Sequence, residues 1–171
     1  MDVEKTIKMK SNDGKIVEIS SKAAMRSGLL KGIMQDYPED SEIPLNAVDG
    51  STLEKIKEYL VHYQDSEPTQ IKRPLKKEFK DSVDEWDSKF IGDDTNFILA
   101  LIKAANFMDI KSLLELSAAK VATIVRGTTT ESIRKTFEIT ELNNSEKEQL
   151  EKDGKGKEIK RIKFNQSEWY L

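Results

Sequence analysis

The chain has no cysteine and a single histidine, His62, among its 171 residues. Without cysteine there is no disulfide, no thiolate zinc site and no thiol nucleophile. With one histidine and no thiol, a transition-metal site lacks its usual ligands, and His62 reads as a structural residue at the end of an amphipathic helix. No run approaches the ~20 apolar residues of a membrane-spanning helix, and the opening MDVEKTIKMK has no apolar signal core. Net positive charge is missing too: the balance is −3, with a pI near 5.4. General nucleic-acid binding usually asks for a basic domain. These absences lead us to expect a cytoplasmic and nuclear chain with no cofactor, no metal, no nucleic-acid partner and no membrane partner.

What is present is charge. Charged residues make up 35% and hydrophobic ones 37%, against about 25% and about 45–50% in ordinary globular domains. The length suffices for one full core, or for one core with an appended helical module. A globular fold with a large charged exterior follows.

The first elements read as a hairpin. Residues 6–10 alternate, with Ile7 and Met9 on one face, Asn12-Asp13-Gly14 is a turn, and Val17 and Ile19 continue the alternation. Ser20-Ser21 is placed to cap a short helix over residues 22–25, and Ser27-Gly28 to start another carrying Leu29, Leu30 and Ile33. Ile43 and Leu45 flank Pro44 in a short edge strand. Ser51-Thr52-Leu53-Glu54 fits a capping box, after which Leu53, Ile56, Leu60 and Tyr63 share one helical face.

Residues 64–85 combine two prolines with dense charge and read as a mobile, solvated loop, its cluster Lys72, Arg73, Lys76, Lys77 and Lys80 open to an acidic partner. Trp86 and Phe90 anchor the chain beyond it.

Residues 97–139 carry more apolar side chains than one face of each helix needs. A helix from Thr95, its cap, to Ala105 is expected to end at a left-handed Asn106. Asp109 would cap the next, whose face repeats as Ile110, Leu113, Leu114, Val121, Ile124 and Val125 until Gly127 stops it. Thr128 with Glu131 forms another capping box ahead of Ile133 and Phe137, and Ser145 with Glu148 suggests a helix around residues 146–152. No catalytic constellation sits on this stretch, so it reads as a surface that receives another protein. Asp93-Asp94 and Asp81-Asp84 lack the spacing of a calcium loop. Gly154-Lys155-Gly156-Lys157 lacks the strand and spacing of a phosphate loop.

Three blocks in order and spacing carry a resemblance: Trp86-Asp87-x-x-Phe90; Ala104-Ala105-Asn106-Phe107-Met108-Asp109-Ile110-Lys111-x-Leu113-Leu114; and Ile133-Arg134-Lys135-Thr136-Phe137-x-Ile139. From about residue 4 to about 150 the chain resembles the family of S-phase kinase-associated protein 1, the F-box adaptors of SCF ubiquitin ligases. The resemblance implies an α/β (α+β) fold of the BTB/POZ type, a small three-stranded sheet covered by helices, over residues 1–127. It implies F-box-binding helices over 128–152 and leaves 153–171 as a divergent tail. It also implies a non-enzymatic subunit whose POZ part docks on a cullin and whose C-terminal helices grip the F-box of a substrate receptor, for ubiquitin-dependent degradation.

Carried over by position, the F-box surface comprises Leu114, Val121, Val125, Ile133, Phe137 and Ile139, with Trp169 as a further contact. Apolar side chains at i, i+3, i+4 spacing suit a partner helix, and each buried Phe or Leu contributes roughly 1.5–3 kcal/mol. Core packing is the competing role for every one of them, and one side chain can serve both; Leu114 is the one closest to core alone. Asn106-Phe107 matches the family's Asn-Tyr cullin contact, and the loop around Pro44 and Asn46 corresponds to a region near the cullin. The competing roles are Asn106 as helix terminator and Phe107 as buried wedge. Phe in place of Tyr removes a hydrogen bond worth roughly 0.5–1.5 kcal/mol.

The chain departs from the family twice. Thr130 stands where the family has a proline ahead of its penultimate helix, which excludes proline hydroxylation there. The closing Asn-Gln-Trp becomes Asn165-Gln166-Ser167-Glu168-Trp169, displaced beyond Gly154 and Gly156. The alternative function is a POZ interaction module of another complex, elongin-C-like or kinetochore, or a self-associating POZ protein. Weak self-association of the partner-free chain through its exposed apolar helices is expected in either case.

Overall fold

The computed structural model describes residues 6–37, 42–72 and 78–137. Strand β1 (Thr6–Ser11) pairs antiparallel with β2 (Ile16–Ser20), Ile7 opposite Ile19 and Met9 opposite Val17. The turn between them places Gly14 at φ 82°, a left-handed conformation that glycine takes without steric cost. Strand β3 (Glu42–Leu45) runs parallel to β1, giving the order β2-β1-β3 and leaving Pro44 on an edge strand. Alternation puts Ile7, Met9, Val17, Ile19, Ile43 and Leu45 on the buried face. On the other face Lys8 reaches Glu18 at 3.8 Å and Lys10 reaches Glu42 at 3.6 Å.

Helices α1 (Ser21–Ala24), α2 (Gly28–Asp36), α3 (Gly50–His62), α4 (Glu85–Ile91), α5 (Thr95–Phe107) and α6 (Lys111–Val125) join the sheet in one compact unit, residues 1–129. Helix α7 (Thr130–Thr136) belongs to a second unit that begins with it. The core runs from the sheet through Leu53, Ile56 and Leu60 of α3 to Ile98 and Leu101 of α5 and Leu113 and Leu116 of α6. The expected sheet-plus-helix architecture is what the chain forms. The hairpin, the caps at Ser20 and Ser27, and the apolar face of α3 all lie where sequence spacing put them.

Four caps differ. Asp49, not Ser51, caps α3: its carboxylate accepts from the Thr52 N–H at 2.9 Å, while the Ser51 hydroxyl donates to it at 2.6 Å. The helix starts earlier because the Gly50 N–H is taken by Asp13 of the β1–β2 turn at 3.2 Å. Asp94 rather than Thr95 caps α5, accepting from the Asn96 and Phe97 N–H groups at 3.0 and 3.2 Å. A carboxylate outcompetes a neighbouring hydroxyl for these donors because its bonds are charge-assisted. Asn106 stays helical, and Asp109 takes the left-handed position at φ 50°. Asp109 therefore closes α5 instead of capping α6, whose N-cap Ile110 has no side-chain cap bond. Thr128 turns its hydroxyl back onto the Val125 carbonyl at 2.8 Å, and α7 begins at Thr130.

Within residues 64–85, read above as a mobile, solvated loop, the described parts meet the rest of the fold at several points. Arg26 donates to Glu67 at 2.6 Å and to the Ser66 carbonyl at 2.7 Å, and Lys22 pairs with Asp65. Phe79, in a 3-10 turn Phe79–Asp81, is buried in the core, and Ile71 and Val83 pack against it. A single aromatic with two aliphatics is enough to dock a segment that composition alone reads as solvated. Arg73, Lys76, Lys77, Ile139, the helix expected around 146–152 and Trp169 lie outside the described residues.

Candidate functional site

Helix α5 ends in a Schellman turn. The Ile110 N–H donates to the Ala105 carbonyl at 2.8 Å and the Asp109 N–H to the Asn106 carbonyl at 3.2 Å. Ala105 and Ile110 are both buried, which ties the turn to the core. Asn106 is exposed, and Phe107 is 41% exposed despite its size. The buried-wedge role for Phe107 is thereby excluded, as is the terminator role for Asn106. Pro44 and Asn46 are also exposed, on a different element, at the exit of β3.

Helix α6 divides into two faces. Leu113, Leu116, Ser117 and Ala119 are buried. A second stripe runs Leu114, Ala118, Val121, Ala122 and Val125, at the spacing of a single helical face. Ala118 and Ala122 on it are exposed, and Leu114, Val121 and Val125 are half-buried. Leu114 and Val121 touch the core with one side and leave the other open, so packing accounts for only part of their surface. A solvent-facing stripe normally carries charge; this one is apolar throughout. Helix α7, taken by itself, carries Glu131 in its first turn and Arg134 and Lys135 in its last, each matching the helix dipole. Ile133 and Phe137 share one of its faces, and the Phe137 N–H donates to the Ile133 carbonyl at 3.0 Å.

An aromatic group supports the first unit from behind. His62 stacks on Trp86 at 3.6 Å with the rings 1° apart, and Trp86 stacks on Phe90 at 4.8 Å. Tyr59 meets Phe90 at 5.4 Å, and the Lys55 ammonium lies 4.4 Å from the Phe90 ring centre. Beside this group Asp87 is 3% exposed, and its Oδ1 has no hydrogen-bond partner in the protein. Burial pushes the Asp87 carboxyl above the usual carboxylate range, opposed by a hydrogen bond from Tyr63. Burial likewise pushes both Tyr59 and Tyr63 up, so neither hydroxyl ionises in the physiological range.

A cleft of about 350 Å³ lies beside α2, lined by Arg26, Tyr59, Tyr63, Glu67, Asp109 and Lys111 among others. Two of its charged groups, Arg26 and Glu67, pair with each other at 2.6 Å. Among the described residues no group of three or more histidine or acidic side chains is gathered as metal ligands, and no helix is long and apolar enough to cross a membrane.

Sequence reasoning passed over two features. Tyr37, at the end of α2, is 62% exposed, and Met25 is 46% exposed. Only their isolation from any apolar period hinted that the core would not claim them. The second is the contact of Ser27 and Gly28 with the α5–α6 corner, 81 residues away in sequence for the Ser27–Met108 bond. No local pattern signals such a contact.

Residues 5–65 match the description "Skp1 family, tetramerisation domain" and residues 111–155 match "Skp1 family, dimerisation domain". The chain is 35% identical over 152 residues to the S-phase kinase-associated protein 1 homolog of Tetrahymena thermophila, covering 87% of this chain and 92% of that protein. It is 33% identical over 152 residues to the E3 ubiquitin ligase complex SCF subunit sconC of Emericella nidulans, covering 88% and 94%. The sconC subunit of Talaromyces stipitatus is 31% identical over 149 residues, covering 86% and 93%. With the two family segments in order along a POZ-type sheet-and-helix unit, and about a third of positions shared over nearly the whole length, the chain belongs to the Skp1 family.

Proposed function

We propose that the chain is a non-enzymatic adaptor subunit of an SCF-type E3 ubiquitin ligase, joining a cullin to F-box substrate receptors in the cytoplasm and nucleus. The observation that carries this reading is the apolar stripe on α6, which the core covers only in part. A partner helix laid along it removes that surface from water, at roughly 25 cal/mol per Å². The names of the fungal relatives, as SCF subunits, supply the class of assembly. In this reading Leu114, Val121, Val125, Ile133, Phe137, Ile139 and Trp169 serve the F-box. Asn106 and Phe107, with Pro44 and Asn46, serve the cullin. Ubiquitin transfer takes place on other subunits, and this chain supplies geometry and affinity.

The test uses the full chain with a purified F-box receptor and a purified cullin N-terminal domain. Val121→Glu or Phe137→Glu is expected to abolish the F-box complex on a sizing column while circular dichroism stays unchanged. Asn106→Lys with Phe107→Lys is expected to remove cullin binding and spare the F-box. F-box binding that survives both glutamate substitutions overturns the F-box assignment. Equal loss of both partners on the lysine substitutions assigns those residues to folding instead of docking.

A further inference from the structure

We propose that Ser27 and Gly28 are positioning residues for the α5–α6 corner, fixing the direction in which Asn106 and Phe107 leave the fold; this rests on the reading of that corner as the cullin contact. Ser27 is fully buried. Its hydroxyl donates to the Met108 carbonyl at 2.6 Å and accepts from the Leu30 N–H at 3.2 Å. The Gly28 N–H donates to the Asp109 carbonyl at 3.1 Å and the Leu29 N–H to the Met108 carbonyl at 3.2 Å. The first N–H groups of a helix have no partner within it. Here two of those of α2 are spent on consecutive carbonyls of the corner, immediately after Phe107.

The approach is close enough that a side chain at position 28 would displace Asp109. A Cβ built there lies 2.0 Å from Asp109 Oδ2, 2.7 Å from its Cγ and 2.9 Å from its Cβ. Asp109 is also the one non-glycine at positive φ among the described residues. A left-handed aspartate holds that conformation at some energetic expense and needs its surroundings to impose it. The three hydrogen bonds from residues 27–29 do so. The α6 stripe starts five residues beyond Asp109, at Leu114, so a corner that shifts re-aims Phe107 without touching it.

The experiment measures the affinity of the full chain for the cullin N-terminal domain and, separately, for an F-box peptide. Gly28→Ala is expected to weaken cullin binding about tenfold or more and to change F-box binding by less than about twofold. Adding Asp109→Gly removes the clash and suits the positive φ, so the double variant is expected to recover cullin binding, while Asp109→Gly alone leaves both affinities unchanged. Ser27→Ala removes a hydrogen bond without adding bulk and is expected to weaken cullin binding alone, by roughly two- to tenfold. It keeps the proposal testable if Gly28→Ala does not fold. Unchanged cullin binding in both Gly28→Ala and Ser27→Ala overturns the proposal, as does equal loss of both partners or failure of Asp109→Gly to rescue Gly28→Ala. The lysine substitutions at Asn106 and Phe107 separate the two levels. If they leave cullin binding intact, the docking site itself is misassigned; if they abolish it while Ser27→Ala and Gly28→Ala do nothing, only the positioning role falls.

Discussion

Asp49 accepts from the Thr52 N–H at 2.9 Å and from the Ser51 and Thr52 hydroxyls at 2.6 and 2.8 Å. The Ser51 hydroxyl foremost, with the Thr52 donors, pulls its carboxyl down to about 2. Asp49→Ala is therefore expected to lower stability by about 1 kcal/mol in urea melts at neutral pH. The sign with pH follows from the depressed value. The contribution is fully present above the unfolded carboxylate range near ~4 and is lost as pH falls through about 2. The gap between wild type and variant closes in that direction. Asp87 behaves in the opposite sense. Its buried carboxyl is raised, so ionising it opposes folding at neutral pH, and the opposition vanishes as pH falls through the folded value. Asp87→Asn keeps an acceptor for the Tyr63 hydroxyl and is expected to be more stable than wild type at pH 7, with the advantage shrinking in acid. An asparagine variant less stable by the same amount at both pH values contradicts this account.

At the scale of elements, α6 supplies the sharpest contrast between its two faces. Leu116→Ala, on the buried face, is expected to cost about 2–5 kcal/mol. Ala118→Glu and Ala122→Glu, on the exposed stripe, are expected to move the urea midpoint by less than about 0.5 kcal/mol and to lower F-box affinity about tenfold or more. Loss of stability without loss of affinity in the two glutamate variants places the stripe in the wrong role. The same helix shows how much the sequence could reveal. Its apolar period, like the alternation of β1 and the face of α3, is a local property enforced by burial, and it reads directly from spacing. The caps do not. Ser51, Thr95 and Asn106 each have the chemistry for a terminus, and an aspartate one to three residues away won at each, while Thr128 spends its hydroxyl on the Val125 carbonyl. At α3 the choice was made by Asp13, reaching in from the β1–β2 turn. Phe79 escaped notice for a related reason: one aromatic in a charged stretch has no period, and only the fold brings α6 over it, with the Lys120 ammonium 5.1 Å from its ring centre. Asn106 and Phe107 stood out as a candidate site through the family's block; the structure shows them exposed at a Schellman turn.

For the whole molecule, the first unit presents an exposed corner at Asn106 and Phe107 and a partly exposed apolar stripe along α6, while α7 opens a second unit bearing Ile133 and Phe137. The residues proposed for the cullin and for the F-box occupy different elements, and an adaptor depends on that separation, because two partners that competed for one surface could not be joined. The most direct measurement is the mass of the species formed when the full chain, an F-box receptor and a cullin N-terminal domain are mixed in equal amounts and run through a sizing column with light scattering. The account predicts one ternary assembly holding a single copy of each, absent when this chain is left out. Two separate binary complexes, each excluding the third component, contradict it.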